Sequence, residues 1–123
     1  MKLKQIALMA AAGLLVAGAA HAGDAKKGAA VFQRCAMCHA NTKDGGNRIG
    51  PDLFGIVGRK AGTATGFYYS PAMKAAGFVW TPDKLKAYIA NPQKVVPGDR
   101  MAFGGISDPA QLDDLVVYLA TLK

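Results

Sequence analysis

Cys35-Ala36-Met37-Cys38-His39 is the stretch on which the reading of this chain turns. It sets two thiols two residues apart and follows them at once with an imidazole. Outside it, reactive side chains are scarce. The only other histidine is His21, and there is no other cysteine. His21 itself belongs to a segment that reads as a leader. Lys2 and Lys4 form a short positive start, Ile6 to Ala20 are apolar or glycine throughout, and Ala20-His21-Ala22 fits a small-x-small cleavage site. An apolar run of this length is short for a membrane span, which takes roughly 20 residues. Residues 1–22 are therefore expected to be a cleavable secretory signal peptide, leaving one domain over 23–123.

That domain has 101 residues, with 13 basic against 8 acidic side chains and a net charge of +5, where the full chain has +7. All the acids are Asp. The size leaves no room for a barrel enzyme, which needs about 250 residues. No remaining segment is apolar and long enough to cross a membrane. Secretion places the mature chain in an oxidising compartment such as a bacterial periplasm.

Working outward from the motif, three segments carry helical signals. One runs from Ala25 to Cys35 with Asp24 as its N-cap, and Ala25, Gly28, Phe32 and Cys35 recur at helical spacing. A second starts at Thr81-Pro82, places Leu85, Tyr88 and Ile89 on one side, and stops at Asn91-Pro92. The third starts at Asp108-Pro109, with Gln111 set for a capping box and a stripe of Leu112, Leu115, Val116, Leu119 and Leu122. A weaker short helix covers Ala72 to Ala76. Strand signals are poor. Residues 40–70 hold seven glycines and one proline and read as loop. So long a loop is unusual in a compact domain, and the apolar inventory is thin for the size. Both features suit a chain wrapped around a large apolar group that is not protein.

The C-x-x-C-H run has several chemical readings. A redox dithiol wants a βαβ setting, which the flanks do not offer. Structural zinc takes four Cys or His ligands, and only three are present here. A plain structural Cys pair leaves the His incidental. Attachment of c-type haem uses all three residues. Each thiol adds to one vinyl group of a single porphyrin, and His39 then offers Nε2 to the iron. Of the three methionines beyond the leader, Met37 lies inside the turn, Met73 reads as core, and Met101 follows a stiff stretch, Pro97-Gly98-Asp99-Arg100. Such a loop suits a strap over the far face of the ring. His/Met ligation is used in electron-transfer cytochromes and raises the iron potential.

Further segments match a known family in order. They are Gly28 and Phe32, Gly50-Pro51-Asp52-Leu53, Gly58-Arg59-Lys60-Ala61-Gly62, Gly66-Phe67-Tyr68-Tyr69, Trp80, Tyr88, Asn91-Pro92, Pro97-Gly98, Met101-Ala102-Phe103 and Tyr118-Leu119. From Gly23 to Lys123 the chain resembles the class I cytochromes c, specifically the mitochondrial-like bacterial periplasmic branch. The resemblance implies an all-α, small cytochrome c fold. Three main helices, short helices and long Gly-rich loops would surround one haem c, covalently attached through Cys35 and Cys38. It implies His39 and Met101 as the iron ligands, with the Pro51 carbonyl orienting His39. It implies propionate contacts from Arg59, Tyr69 and Trp80, Tyr88 near the Met101 sulfur, and Phe103 near the exposed haem edge. Gly28 would let the first helix cross the last closely.

The chain departs from the family at Met73, where Asn is frequent, and at Asp99, where Thr is common. A carboxylate cannot donate the hydrogen bond a hydroxyl makes, so Asp99 is expected to point outward. Gln93 and Arg100 alter the basic ring about the haem edge.

The expected function is that of a monomeric one-electron carrier, not an enzyme. Lys26, Lys27, Lys60, Lys94 and Arg100 would form a positive rim that steers acidic redox proteins. Such partners include a cytochrome bc complex, a terminal oxidase, a photosynthetic reaction centre or a periplasmic dehydrogenase. No nucleic-acid partner and no stable membrane insertion of the mature chain are expected. Two other classes remain open on the residues alone. One is a haem protein with an open sixth position, a peroxidase or gas sensor. The other is a periplasmic dithiol oxidoreductase.

Overall fold

The structure is a computed structural model that describes residues 22–123. Apart from Ala22, the expected leader lies outside the described residues. Five helices follow in order: α1 (Ala25–Phe32), α2 (Pro71–Ala75), α3 (Pro82–Ala90), α4 (Pro92–Val95) and α5 (Pro109–Ala120). Every helix starts at a residue whose side chain caps it. The Asp24 carboxylate accepts from the Lys26 and Lys27 amides, and Ser70, Thr81, Asn91 and Asp108 act alike for the other four. In α2 to α5 the first helical residue is proline, which has no amide proton to leave unsatisfied. Of the expected capping box only the Asp108 half is made, accepting from Ala110 and Gln111.

Two boundaries differ from expectation. The first helix ends at Phe32, not Cys35, because its ladder tightens. Gln33, Arg34 and Cys35 bond to carbonyls three residues back, at 3.2, 3.1 and 2.7 Å. After Asn91-Pro92 the chain does not stay irregular. Asn91 caps a new turn, α4, which Pro92 anchors by burial.

Helices α1 and α5 form the frame. A Cβ on Gly28 would collide with the Asp114 carbonyl and with Tyr118, so glycine is required for this crossing. Phe32 meets Tyr118 with ring centroids 5.4 Å apart, and the Asp24 amide donates to the Asp114 carboxylate at 2.8 Å. Leu115 is fully buried at the centre of the stripe. Helix α3 joins α5 through the Lys86–Asp113 ion pair. Residues 40–70 contain no helix, as the glycine count predicts. Among the described residues the only β-pairing is a single bridge, Lys60 to Val79. Around it the backbone of 58–61 is stitched to 78–80 by the bonds Ala61 N to Phe78 O, Trp80 N to Arg59 O and Gly58 N to Trp80 O. No helix among the described residues is long and apolar enough to cross a membrane.

Candidate functional site

The tightening after α1 shapes the motif. The Cys38 amide bonds to the Cys35 carbonyl at 3.1 Å and the His39 amide to the same carbonyl at 3.0 Å. In such a tight turn residues three apart are nearly eclipsed, so the two thiols share a side. Arg48 clamps this turn from outside, donating to the Ala36 carbonyl at 3.0 Å and the Met37 carbonyl at 3.5 Å. The Gly50 amide closes it with a 2.8 Å bond to the Cys38 carbonyl.

The His39 ring is held on two sides. Its Nδ1 lies 2.7 Å from the Pro51 carbonyl oxygen. A carbonyl only accepts, so Nδ1 carries the proton and Nε2 keeps its lone pair. The ring lies flat against Gly50, where any Cβ would overlap it. Burial is the main cause that lowers the His39 pKa, aided by the Arg59 charge, while the Pro51 bond and Asp52 oppose it. The imidazole is thus neutral near pH 7 and able to coordinate. Burial also raises the Cys35 thiol, against a lowering from Arg34. A reactive redox dithiol has a depressed pKa, so this shift speaks against the dithiol reading.

Cys35, Cys38 and His39 open into a cavity of about 420 Å³, the size of a small-molecule or cofactor site. Its lining brings together every sequence-predicted site residue. Pro51 and Arg59 come from the Gly-rich loop, Tyr69 from the residues before α2, Trp80 from the residues before α3, and Tyr88 from α3. Met101 and Phe103 come from the segment after α4. Leu85, Leu115 and Leu119 supply apolar wall.

Arg59 holds its guanidinium at the wall by donating to the Asp52 carbonyl at 2.8 Å and the Phe54 carbonyl at 3.5 Å. The Tyr69 hydroxyl accepts from the Ala64 amide at 3.0 Å, which leaves its own proton to donate. Trp80 is buried edge-on to Phe78 and beside Tyr88, with centroids 4.8 and 4.9 Å away. The Arg34 guanidinium stands 5.7 Å over the Phe103 ring.

One expectation is reversed. Asp99 does not point outward: its carboxylate accepts the hydroxyl of Tyr88, whose oxygen is also 3.9 Å from the Met101 sulfur. Burial first, then this bond and the Asp99 charge, raises the Tyr88 pKa and keeps the phenol protonated. Gln93 makes the arrangement possible. Its side chain donates to the Asp99 carbonyl at 2.7 Å and accepts from the Gly98 amide at 3.1 Å, bracing the turn before Met101. The roles of Gln93, Arg48 and Gly50 were not assigned from the sequence. Gly50 entered only within the matched segment Gly50-Pro51-Asp52-Leu53, with no part given to it in seating His39.

The donor set fits haem. Two thiols share a side of one turn, a neutral imidazole has a free Nε2, and a thioether lines the same apolar cavity. Zinc has no comparable cage. Among the described residues no group of three or more His, Cys, Asp or Glu is placed to hold a metal ion.

Comparison with known proteins agrees. A family model described as Cytochrome c matches residues 25–123. Cytochrome c of Gibberella zeae is 50% identical over 98 residues, covering 79% of this chain and 92% of that protein. Cytochrome c2 of Agrobacterium tumefaciens is 48% identical over 100 residues, covering 79% and 90%. The solved structure of cytochrome cH from Methylobacterium extorquens superposes with a TM-score of 0.76 at 45% identity, covering 80% of this chain and 99% of that one. With fold and motifs matched from Ala25 to the final residue, the chain belongs to the cytochrome c family, small class I electron carriers rather than enzymes whose haem c is covalently attached.

Proposed function

We propose that this chain carries one electron at a time on a single haem c, attached through Cys35 and Cys38 and ligated by His39 Nε2 and Met101 Sδ. The observation that supports this reading is the shared cavity. Met101 is 62 positions from His39 in the chain, yet both line one apolar pocket with the two thiols. Haem, when bound, supplies a ferrous/ferric couple.

The chain's own residues do the rest. Pro51 fixes the imidazole tautomer, and Gly50 sets the plane of the ring. Arg59, Tyr69 and Trp80 present N–H and O–H groups suited to propionates. The apolar walls keep water out. With His39 and Met101 both lining the cavity and each able to hold the iron, an open-iron peroxidase or sensor is the less supported reading.

Processing after Ala22 would deliver the mature chain to the periplasm as a monomer. There Lys26, Lys27, Lys60, Lys94 and Arg100, all exposed, would steer acidic redox proteins. Candidate partners remain a cytochrome bc complex, a terminal oxidase, a reaction centre or a periplasmic dehydrogenase.

The test is the purified secreted protein. Haem retained through acid-acetone extraction, a mass consistent with cleavage before Gly23 and a sulfur-to-iron charge-transfer band when oxidised are the expected results. Extractable haem refutes the attachment; a band absent from the oxidised wild type, or present there and unchanged by Met101→Ala, refutes the ligation. Transfer rates to native membranes should fall as salt rises, and a salt-independent rate refutes the charge steering.

A further inference from the structure

We infer that Asp99 is a positioning residue for the Met101 sulfur: its carboxylate takes the one hydroxyl proton of Tyr88 and so withholds it from the thioether. The inference rests on the reading of Met101 as an iron ligand.

The argument is a count of donors. A tyrosine hydroxyl has a single proton to give. Two acceptors lie within its reach. One is the Asp99 carboxylate, and the other is the Met101 sulfur at 3.9 Å. A carboxylate accepts only, and hydrogen bonds to an ionised acceptor are roughly twice as strong as neutral ones. A thioether is a weak acceptor. The proton therefore stays with Asp99.

The turn makes this choice rigid. The other carboxylate oxygen, Oδ1, accepts from the Arg100 amide at 2.8 Å. The Asp99 amide donates to the Val96 carbonyl at 3.0 Å. The Gln93 side chain spans the turn by its two bonds to Gly98 and Asp99. The backbone of Asp99 is thus fixed, and its carboxylate cannot swing away without breaking its bonds to both Tyr88 and the Arg100 amide.

The consequence falls on the sulfur. A hydrogen bond to a thioether withdraws electron density from the lone pairs that a metal would use. Without it the sulfur is a fuller donor, and the more electron-poor ferric state gains most. Asp99 therefore biases this chain toward the oxidised state through Tyr88, apart from the direct effect of its charge.

Asp99→Asn separates the two effects. The amide is nearly isosteric but has one oxygen. The Arg100 amide claims that oxygen, so the amide nitrogen faces Tyr88 and the hydroxyl proton turns to the sulfur. The experiment measures reduction potential and the sulfur-to-iron charge-transfer band in four holoproteins: wild type, Tyr88→Phe, Asp99→Asn and the double variant. In the Asp99→Asn background, Tyr88→Phe should shift the band. It should also raise the oxidised-to-reduced ratio at fixed ambient potential by up to about fivefold, the ceiling set by one ordinary hydrogen bond, since a thioether accepts weakly. The loss of the Asp99 charge is common to both members of that pair and cancels. In the wild-type background Tyr88→Phe should leave the band in place.

Equal band shifts in both backgrounds would show that Tyr88 already serves the sulfur and would overturn the inference. No shift in either background would overturn it too. Asp99→Ala, which also releases the proton, repeats the comparison if the Asn variant loses haem. A wild-type protein without the band would overturn the ligation itself, an outcome distinct from both.

Discussion

Gly50→Ala is the sharpest test of how the site is built. Gly50 has ordinary backbone angles, so the substitution adds a methyl group without the conformational strain of a left-handed residue. That methyl would stand 2.6 Å from His39 Nδ1 and 2.8 Å from Nε2, with Cε1 nearer still, where 3.4 Å is ordinary contact. The ring must retreat by about 1 Å, mostly away from its own face, which carries Nδ1 out of line with the Pro51 carbonyl and weakens the 2.7 Å bond. Overpacking of this kind, with a weakened bond to Pro51, costs about 1–3 kcal/mol.

Loss of a bond that orients a metal ligand typically weakens metal affinity or activity about 10–100-fold. The assay compares urea unfolding of wild type and variant, together with the haem content of each secreted protein. Gly46→Ala is the control. Gly46 has a positive φ of 72° and nothing near its missing Cβ, so Ala there should cost about 1–2 kcal/mol of backbone strain and leave His39 untouched. If Gly50→Ala keeps full haem content, an unchanged spectrum and wild-type stability, the claim that glycine seats the imidazole is wrong.

Other outcomes are equally specific. Gly28→Ala should destabilise by about 1–3 kcal/mol despite the better helix former, because its Cβ must push α1 off the Asp114 carbonyl; equilibrium denaturation measures it. Lys86 is raised above its ordinary value by the hydrogen bond and charge of Asp113. A raised base stabilises the fold below the unfolded pKa, near 10.5, and that contribution fades as pH climbs through the higher folded value. Thermal melts above pH 10 should therefore lose stability in wild type and lose less in Asp113→Asn. Arg48→Ala removes the clamp on the Ala36 and Met37 carbonyls and should lower haem attachment in secreted protein more than it lowers helix content by circular dichroism.

Much of this molecule was legible locally. Asp24, Thr81 and Asp108 announced their helices because a cap is made by neighbours in sequence. The positive-φ glycines of residues 40–70 marked a loop because only glycine takes those angles without strain. The spacing at 35–39 already put two thiols and an imidazole on one turn, and the structure opens all three into one cavity. The tightening of α1 at Phe32 was not legible, because periodicity reports which face is apolar and not whether each amide reaches back three residues or four. α4 escaped because Asn91-Pro92 ends one helix and caps the next with the same residue, and a single side chain was read for one role only.

Asp99 shows where local reading stops. From its own residue type, a carboxylate next to an arginine belongs in water. Its inward turn depends on Tyr88, eleven positions earlier, having a proton to give, and on Gln93 bracing the turn. The amino-acid order alone determined which groups could bind haem and where helices would begin, since these depend on residues within a turn of one another. The tertiary structure alone decided which donor meets which acceptor inside the cavity. A hydroxyl has one proton, and its partner is chosen by distance in space and not along the chain.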